Sequence, residues 1–237
     1  MVVGYATVHA KALLKTLVEK KRIDLDVPDD KADPRFSTDY LFGEARGQML
    51  GVLVCRDKKG NAGILKAFSG QYNGEWLVDG WVPPLVDVED LNSISLGVER
   101  LIKRLGSKID VLPKEALERE VLVEKRKAIS QALMKDIHGL YMLPNFRGEV
   151  KSLPDAVYGD GGLPSGIGDC CAPKLLGYAA RHSLTPLGLA EFYFGKENKS
   201  KTKRHGAMYA SCKDKCGRIL GFMLCGQGNT CPTFQKD

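Results

Sequence analysis

A chain of 237 residues that is 43% hydrophobic and 27% charged falls in the range of an ordinary globular protein with one sizeable core. No apolar run approaches the ~20 residues a helical membrane span needs, and His9 and Lys11 interrupt the N-terminal stretch, so the expectation is a cytoplasmic protein with no membrane span or secretory leader. The net charge of +6 is mild but uneven: between Lys196 and Arg218 eight Lys or Arg face only Glu197 and Asp214, an excess that would attract phosphate or else form a solvated basic loop.

Residues 6–20 place Val8, Leu13, Leu14 and Leu17 at helical spacing, with Lys11, Lys15, Glu19 and Lys20 free to face water, which predicts an amphipathic helix. Residues 24–36 are polar, carry Pro28 and Pro34, and read as a connection. From Gln48 to Gly70 two apolar runs flank Asp57-Lys58-Lys59-Gly60-Asn61, the pattern of an antiparallel hairpin. Its nearly continuous hydrophobicity predicts that both faces are covered. Trp76, Trp81 and Pro83-Pro84 follow in a loop too apolar to hang free.

Residues 88–145 read as a helical insertion, broken near Leu105-Gly106 and at Pro113. Leu91, Ile94, Val98, Leu101 and Ile102 form one stripe; Leu122, Ile129, Leu133 and Ile137 form another. A loop rich in glycine and proline covers 145–168.

The last third gathers the chemistry. The chain has seven cysteines, an odd number whose close pairs suit a metal better than a disulfide framework. Asp169 can cap a helix starting near Cys170, and Pro173 fits only the first turn of such a helix, so the Cys170 thiolate would sit at the positive end of the helix dipole. Leu187 to Phe194 reads as a buried strand with Leu189, Glu191 and Tyr193 on its second face. Glu191 is the anomaly there, because a carboxylate among apolar neighbours needs a partner. Cys212 and Cys216 stand four apart, which on a helix puts both sulfurs on one face. Cys170, Cys212 and Cys216 could thus supply three thiolates to a tetrahedral zinc, or be three small buried hydrophobes; Cys171 competes with Cys170 as ligand. His205 could approach the ion or simply sit in the basic loop. Cys55, Cys225 and Cys231 read as core or surface thiols, and His9, His138 and His182 as helix-surface residues.

The order of hairpin, cysteine-bearing helix, buried strand and second cysteine-bearing helix resembles the cytidine deaminase fold, in which a His or Cys two residues before a catalytic glutamate and a later Cys-x-x-Cys pair hold zinc. The resemblance implies an α/β fold in a single zinc domain spanning 1–237, a three-layer deaminase-like sheet with helices on both faces and a helical insertion. Here the position two after Cys170 is Ala172, so the usual deaminase glutamate is missing, and the Cys212 to Cys216 gap is one residue longer than the family pair.

Several strings are similar to the N-terminal extension of long RluA-type RNA pseudouridine synthases. They are Gly47-Gln48-Met49-Leu50-Gly51-Val52-Leu53-Val54, Ala67-Phe68-Ser69-Gly70-Gln71, Val82-Pro83-Pro84, Gly168-Asp169-Cys170-Cys171-Ala172-Pro173-Lys174-Leu175-Leu176, Ala190-Glu191-Phe192 and Lys215-Cys216. That resemblance implies association with RNA modification, with RNA and a separate pseudouridine synthase as partners. It does not imply synthase activity, since Arg22-Ile23-Asp24 lacks the Thr-Ser-Gly that follows the catalytic aspartate of those enzymes.

Three functions are therefore expected in competition. One is a zinc-binding, deaminase-like module that binds RNA through Lys199, Lys201, Lys203, Arg204 and Lys213, with Phe192 or Tyr193 against a base. Another is a zinc-dependent hydrolase of a nucleobase or nucleotide, with Glu191 as proton carrier. The plainest is a metal-free structural protein that docks partners through the 88–140 helices.

Overall fold

A computed structural model describes residues 3–227. In chain order its elements are α1 (Val3–Lys20), β1 (Gln48–Arg56), β2 (Ala62–Phe68), α2 (Val88–Val111), α3 (Leu117–Leu140), β3 (Met142–Pro144), β4 (Val150–Ser152), α4 (Leu153–Ala156), α5 (Cys171–Arg181), β5 (Thr185–Phe194), β6 (Met208–Tyr209) and α6 (Gly217–Met223). The described residues fall into two compact units, one built from 3–85, Leu143–Lys151 and 156–227, the other from Val86–Met142 with Ser152–Asp155. The fold is mixed α and β around an antiparallel four-stranded sheet.

The hairpin forms as its sequence predicts. The Asp57 carboxylate accepts the N–H groups of Lys59 and Asn61, each at 2.8 Å, and so closes the turn between β1 and β2. In the sheet the order is β2, β1, β5, β6, with Leu50 opposite Phe68 and Phe192, and Gly51 opposite Ala67 and Glu191. β1 lies inside this order and is buried along almost its whole length. β2 is an edge, and its first half is exposed, Ile64 included, so the expectation of two covered faces holds for β1 and not for the start of β2.

Alternation along the strands divides the sheet into two faces. Leu50, Val52, Val54, Ala190, Phe192 and Phe194 point to the same core as Ala6, Ala10, Leu13 and Leu17 of α1. The buried stripe of α1 thus uses alanines that let the helix approach the sheet closely, while Val8, expected inside, is 66% exposed. Tyr72 and Trp81 close this core from the loop after β2, the Trp81 indole donating to the Ile23 carbonyl at 2.8 Å. α5 meets the other face: a Cβ on Gly51 would lie 2.6 Å from Cβ of Cys171, so only glycine admits the helix at that point.

In the second unit, Asp87 caps α2 by accepting the N–H groups of Glu89 and Asp90. The helix runs on through Leu105-Gly106, where a break was predicted, and stops before Pro113. One glycine costs an exposed helix only about 1 kcal/mol, whereas proline removes a donor and clashes with the preceding turn. α3 packs on α2. Leu133 and His138 are its buried residues, so His138 is not the helix-surface residue the sequence suggested. Residues 142–156, expected to be mostly loop, instead form a small ladder of β3 with β4 and the short α4. Asn145 closes its turn, its side-chain oxygen accepting from Arg147 and Glu149. Among the described residues no helix is long and apolar enough to cross a membrane.

Candidate functional site

Both expected helix starts are cysteines. Cys170 is the N-cap of α5 and Cys216 the N-cap of α6, and neither cap makes a side-chain hydrogen bond to its own helix. Asp169, expected to cap α5, lies one residue too early. The two thiols meet each other instead: Cys170 donates to the sulfur of Cys216. Cys216 is fully buried and also accepts the backbone N–H groups of Gly168 and Cys170. Donation from Cys170, with those amides, holds the Cys216 thiol below its usual value, while the same hydrogen bond, burial and the neighbouring sulfurs push Cys170 up. Helix-dipole reasoning predicts a lowered Cys170, whereas it is the Cys216 thiol that is lowered and the Cys170 thiol that is raised. Cys212 contributes to the charge felt by Cys170. It precedes α6 in an irregular and turn segment whose Cys212 carbonyl accepts from Gly217, so the two sulfurs do not share a helix face.

Cys171 points away from this cluster into the sheet, its thiol directed at the carbonyls of Met49 (3.3 Å) and Ala67 (3.6 Å). That removes it as a competitor of Cys170. One turn on, Lys174 is 1% exposed, and its ammonium donates to the carbonyls of Phe68 (3.0 Å) and Gly70 (2.7 Å) and lies over the rings of Phe68 and Trp76. Burial lowers its pKa to about 8. The signal for this position in the sequence is that Lys174 falls on the same helical stripe as Cys171, Leu175 and Tyr178.

Glu191 has the partners its position demands. It is 4% exposed on β5, accepts from the Ser211 hydroxyl at 2.9 Å, and takes the Ala172 N–H from the first turn of α5. Burial still outweighs these bonds and the nearby charge of Lys203, so its carboxyl titrates above the ordinary range. A carboxyl that can hold a proton thus stands at the same helix start as Cys170. Ser211 carries no periodic signal and could not have been found from the sequence.

The segments around the cluster are fixed by Arg218. Its guanidinium donates to the carbonyls of Tyr158, Gly159, Asp160 and Gly162, and the Tyr158 N–H returns to the Arg218 carbonyl. This ties the glycine-rich loop ahead of Cys170 to the first turn of α6, just after Cys216.

The basic residues divide by environment. Lys199, Lys201 and Lys213 are exposed; Arg204 pairs with Glu197 at 3.5 Å; Lys203 lies over the Tyr209 ring. Phe192 and Tyr193, offered as base contacts, are buried in the sheet. His205 accepts the Gly195 N–H through Nδ1 and packs against Phe194 and Phe42, which places it in the basic loop. His182 stacks on Tyr178 at the end of α5. Cys55, Cys170, Cys171, Cys212 and Cys216 are free thiols, whereas Cys225, expected to be a thiol, is disulfide-bonded; Cys231 lies outside the described residues.

Among the described residues no group of three or more His, Cys, Asp or Glu stands arranged as around a metal ion. What the chain brings together is a thiol pair with a third sulfur in electrostatic reach, a donor set whose chemistry suits zinc. No protein-family model, curated protein or solved structure matches the chain.

Proposed function

We propose that the chain is a zinc-binding, deaminase-like module associated with RNA modification, a three-layer sheet whose metal is held by Cys170, Cys212 and Cys216. The observation that carries it is the contact of Cys170 with Cys216 across two helix starts, with Cys212 close enough for its charge to act on Cys170. Further support comes from the strand order, in which β1 lies between its hairpin partner and β5, and from α1 and α5 against opposite faces.

When bound, zinc would supply Lewis acidity and a structural cross-link between the starts of α5 and α6. The chain's own residues set the rest. Gly168 and Cys170 orient the Cys216 sulfur through their amides, Arg218 holds the loops in register, and Lys199, Lys201, Lys203, Arg204 and Lys213 would meet phosphates. RNA and a separate pseudouridine synthase are the partners that the sequence strings suggest, in a cytoplasmic setting.

Elemental analysis of protein purified without chelator should find about one zinc per chain, falling to background in Cys216→Ser. Metal-free protein with native circular dichroism would sink the proposal. RNA affinity should drop steeply between low and moderate salt, and a flat dependence would count against phosphate contacts.

One observation favours a second reading as a zinc-dependent hydrolase of a nucleobase or nucleotide. Glu191 is buried, protonatable and one helix start away from the thiols, where it could carry a proton to and from a substrate. Turnover lost in Glu191→Gln with zinc retained would establish that enzyme; RNA binding unchanged by the substitution, with no turnover in either form, would leave the binding module.

A further inference from the structure

The basic loop is sewn to a distant segment of the chain. Lys196 N–H donates to the Leu41 carbonyl at 2.9 Å, and Gly47 N–H donates to the Lys196 carbonyl at 2.8 Å. The Arg46 guanidinium reaches the Glu197 carbonyl, also at 2.8 Å. Gly195 makes the approach possible: its φ is +108°, and a Cβ there would lie 2.5 Å from the Leu41 carbonyl oxygen. The helical turn Thr38–Phe42 and the loop after β5 therefore form one continuous surface.

On that surface Phe42 is 47% exposed. It is held in place all the same, edge-on to the buried Phe194 with ring centroids 5.7 Å apart and tilted on His205 at 5.3 Å. His205 is fixed in turn by the Gly195 N–H and by Phe194. The result is a rigid aromatic pair, half in water, at the foot of a cationic loop. Lys196, Lys199 and Lys201 are exposed and, among the described residues, in no ion pair. Against them stand Glu197, shared with Arg204, and Asp39 and Glu44 of the neighbouring segment. Cations beside a preset ring are what a single strand requires, because every base offers a flat face and every linkage a negative charge.

We propose that Phe42, with His205 beside it, is a stacking platform for an unpaired nucleobase of single-stranded RNA whose phosphates run along Lys196, Lys199 and Lys201. This placement rests on the RNA-binding reading above, and it replaces the buried Phe192 and Tyr193 as the aromatic contact.

The test uses the full chain and a short fluorescein-labelled oligoadenylate, read by anisotropy over a salt series. Phe42→Ala should weaken binding by about tenfold or more with an unchanged salt slope, since stacking is lost and the phosphate contacts stay. Phe42→Trp should restore the affinity, which a merely folded scaffold would not explain. The double change of Lys199→Gln and Lys201→Gln should flatten the slope while leaving the Phe42 effect in place. An abasic strand of equal length should bind wild type and Phe42→Ala alike. Equal affinity of wild type and Phe42→Ala for the oligoadenylate would overturn the platform and leave RNA binding standing. Wild-type protein that binds neither strand would overturn both.

Discussion

The two faces of the central sheet are filled by different chemistry. Against α1 the contacts are hydrocarbon and aromatic throughout, Leu50, Val52, Val54, Phe192 and Phe194 meeting Ala6, Ala10, Leu13 and Leu17. Against α5 the sheet presents a glycine and a carboxylate, Gly51 and Glu191, and the helix answers with Cys171 and Lys174, each directed at backbone carbonyls. The first face is cohesive without being directional, so it sustains the fold. The second adds, to apolar contacts such as Leu175 against Gly51, bonds that each need one particular geometry.

Substitutions can break that contrast. Leu17→Ala, on the hydrocarbon face, should cost about 3 kcal/mol in urea denaturation while leaving the Cys170–Cys216 pair intact to thiol titration under native conditions. Gly51→Ala should cost about 2 kcal/mol through its clash with Cys171, and it should also disturb that titration, because α5 must shift to admit the methyl group. Equal thiol behaviour in the two variants would show that the faces are not independent in the way described.

Smaller effects sharpen it. Lys174→Met should cost about 1–2 kcal/mol, chiefly through the two carbonyls left without a donor. With the folded pKa near 8 and the ordinary value of 10.5, the unfolded chain binds the extra proton in that window. Wild-type stability should therefore gain from Lys174 as pH rises from about 8 to 10.5, and the methionine variant should lack that gain. For Glu191 the sign reverses. Its folded pKa lies above the ordinary 4.5, so the folded chain holds its proton longer and stability falls as pH climbs from there through the raised value. Glu191→Gln should remove that decline, which denaturation midpoints across mildly acidic pH would reveal. Val8→Ser, at an exposed position on α1, should change stability by less than about 0.5 kcal/mol.

The legible parts of the fold were those governed by local chemistry. Asp57 to Asn61 names its own turn, Pro113 its own helix break, and the cysteine at 170 its helix start. Where tertiary packing decided, pattern reading failed. Val8 has the right hydrophobicity for the buried stripe of α1 but the wrong azimuth, and small alanines took its place. Gly106 looked like a break because its propensity is poor, yet a helix packed along its length tolerates one glycine. The four-residue spacing of Cys212 and Cys216 implied a helix face, whereas α6 begins only after Cys216. Glu191 was found by its incongruity, and its partner Ser211 could not be. The lowering of the Cys216 thiol depends on Cys170 and on amides from residues 168 and 170, a matter of loop geometry that no spacing records.

Arg218 fastens its loop with carbonyl oxygens alone. Such a fastening contains nothing that acid can discharge, since a carbonyl does not titrate and a guanidinium keeps its charge. As carboxylates elsewhere in the chain take up protons, the loop ahead of Cys170 should stay moored to α6, and the two sulfurs should remain neighbours after the surface ion pairs have let go.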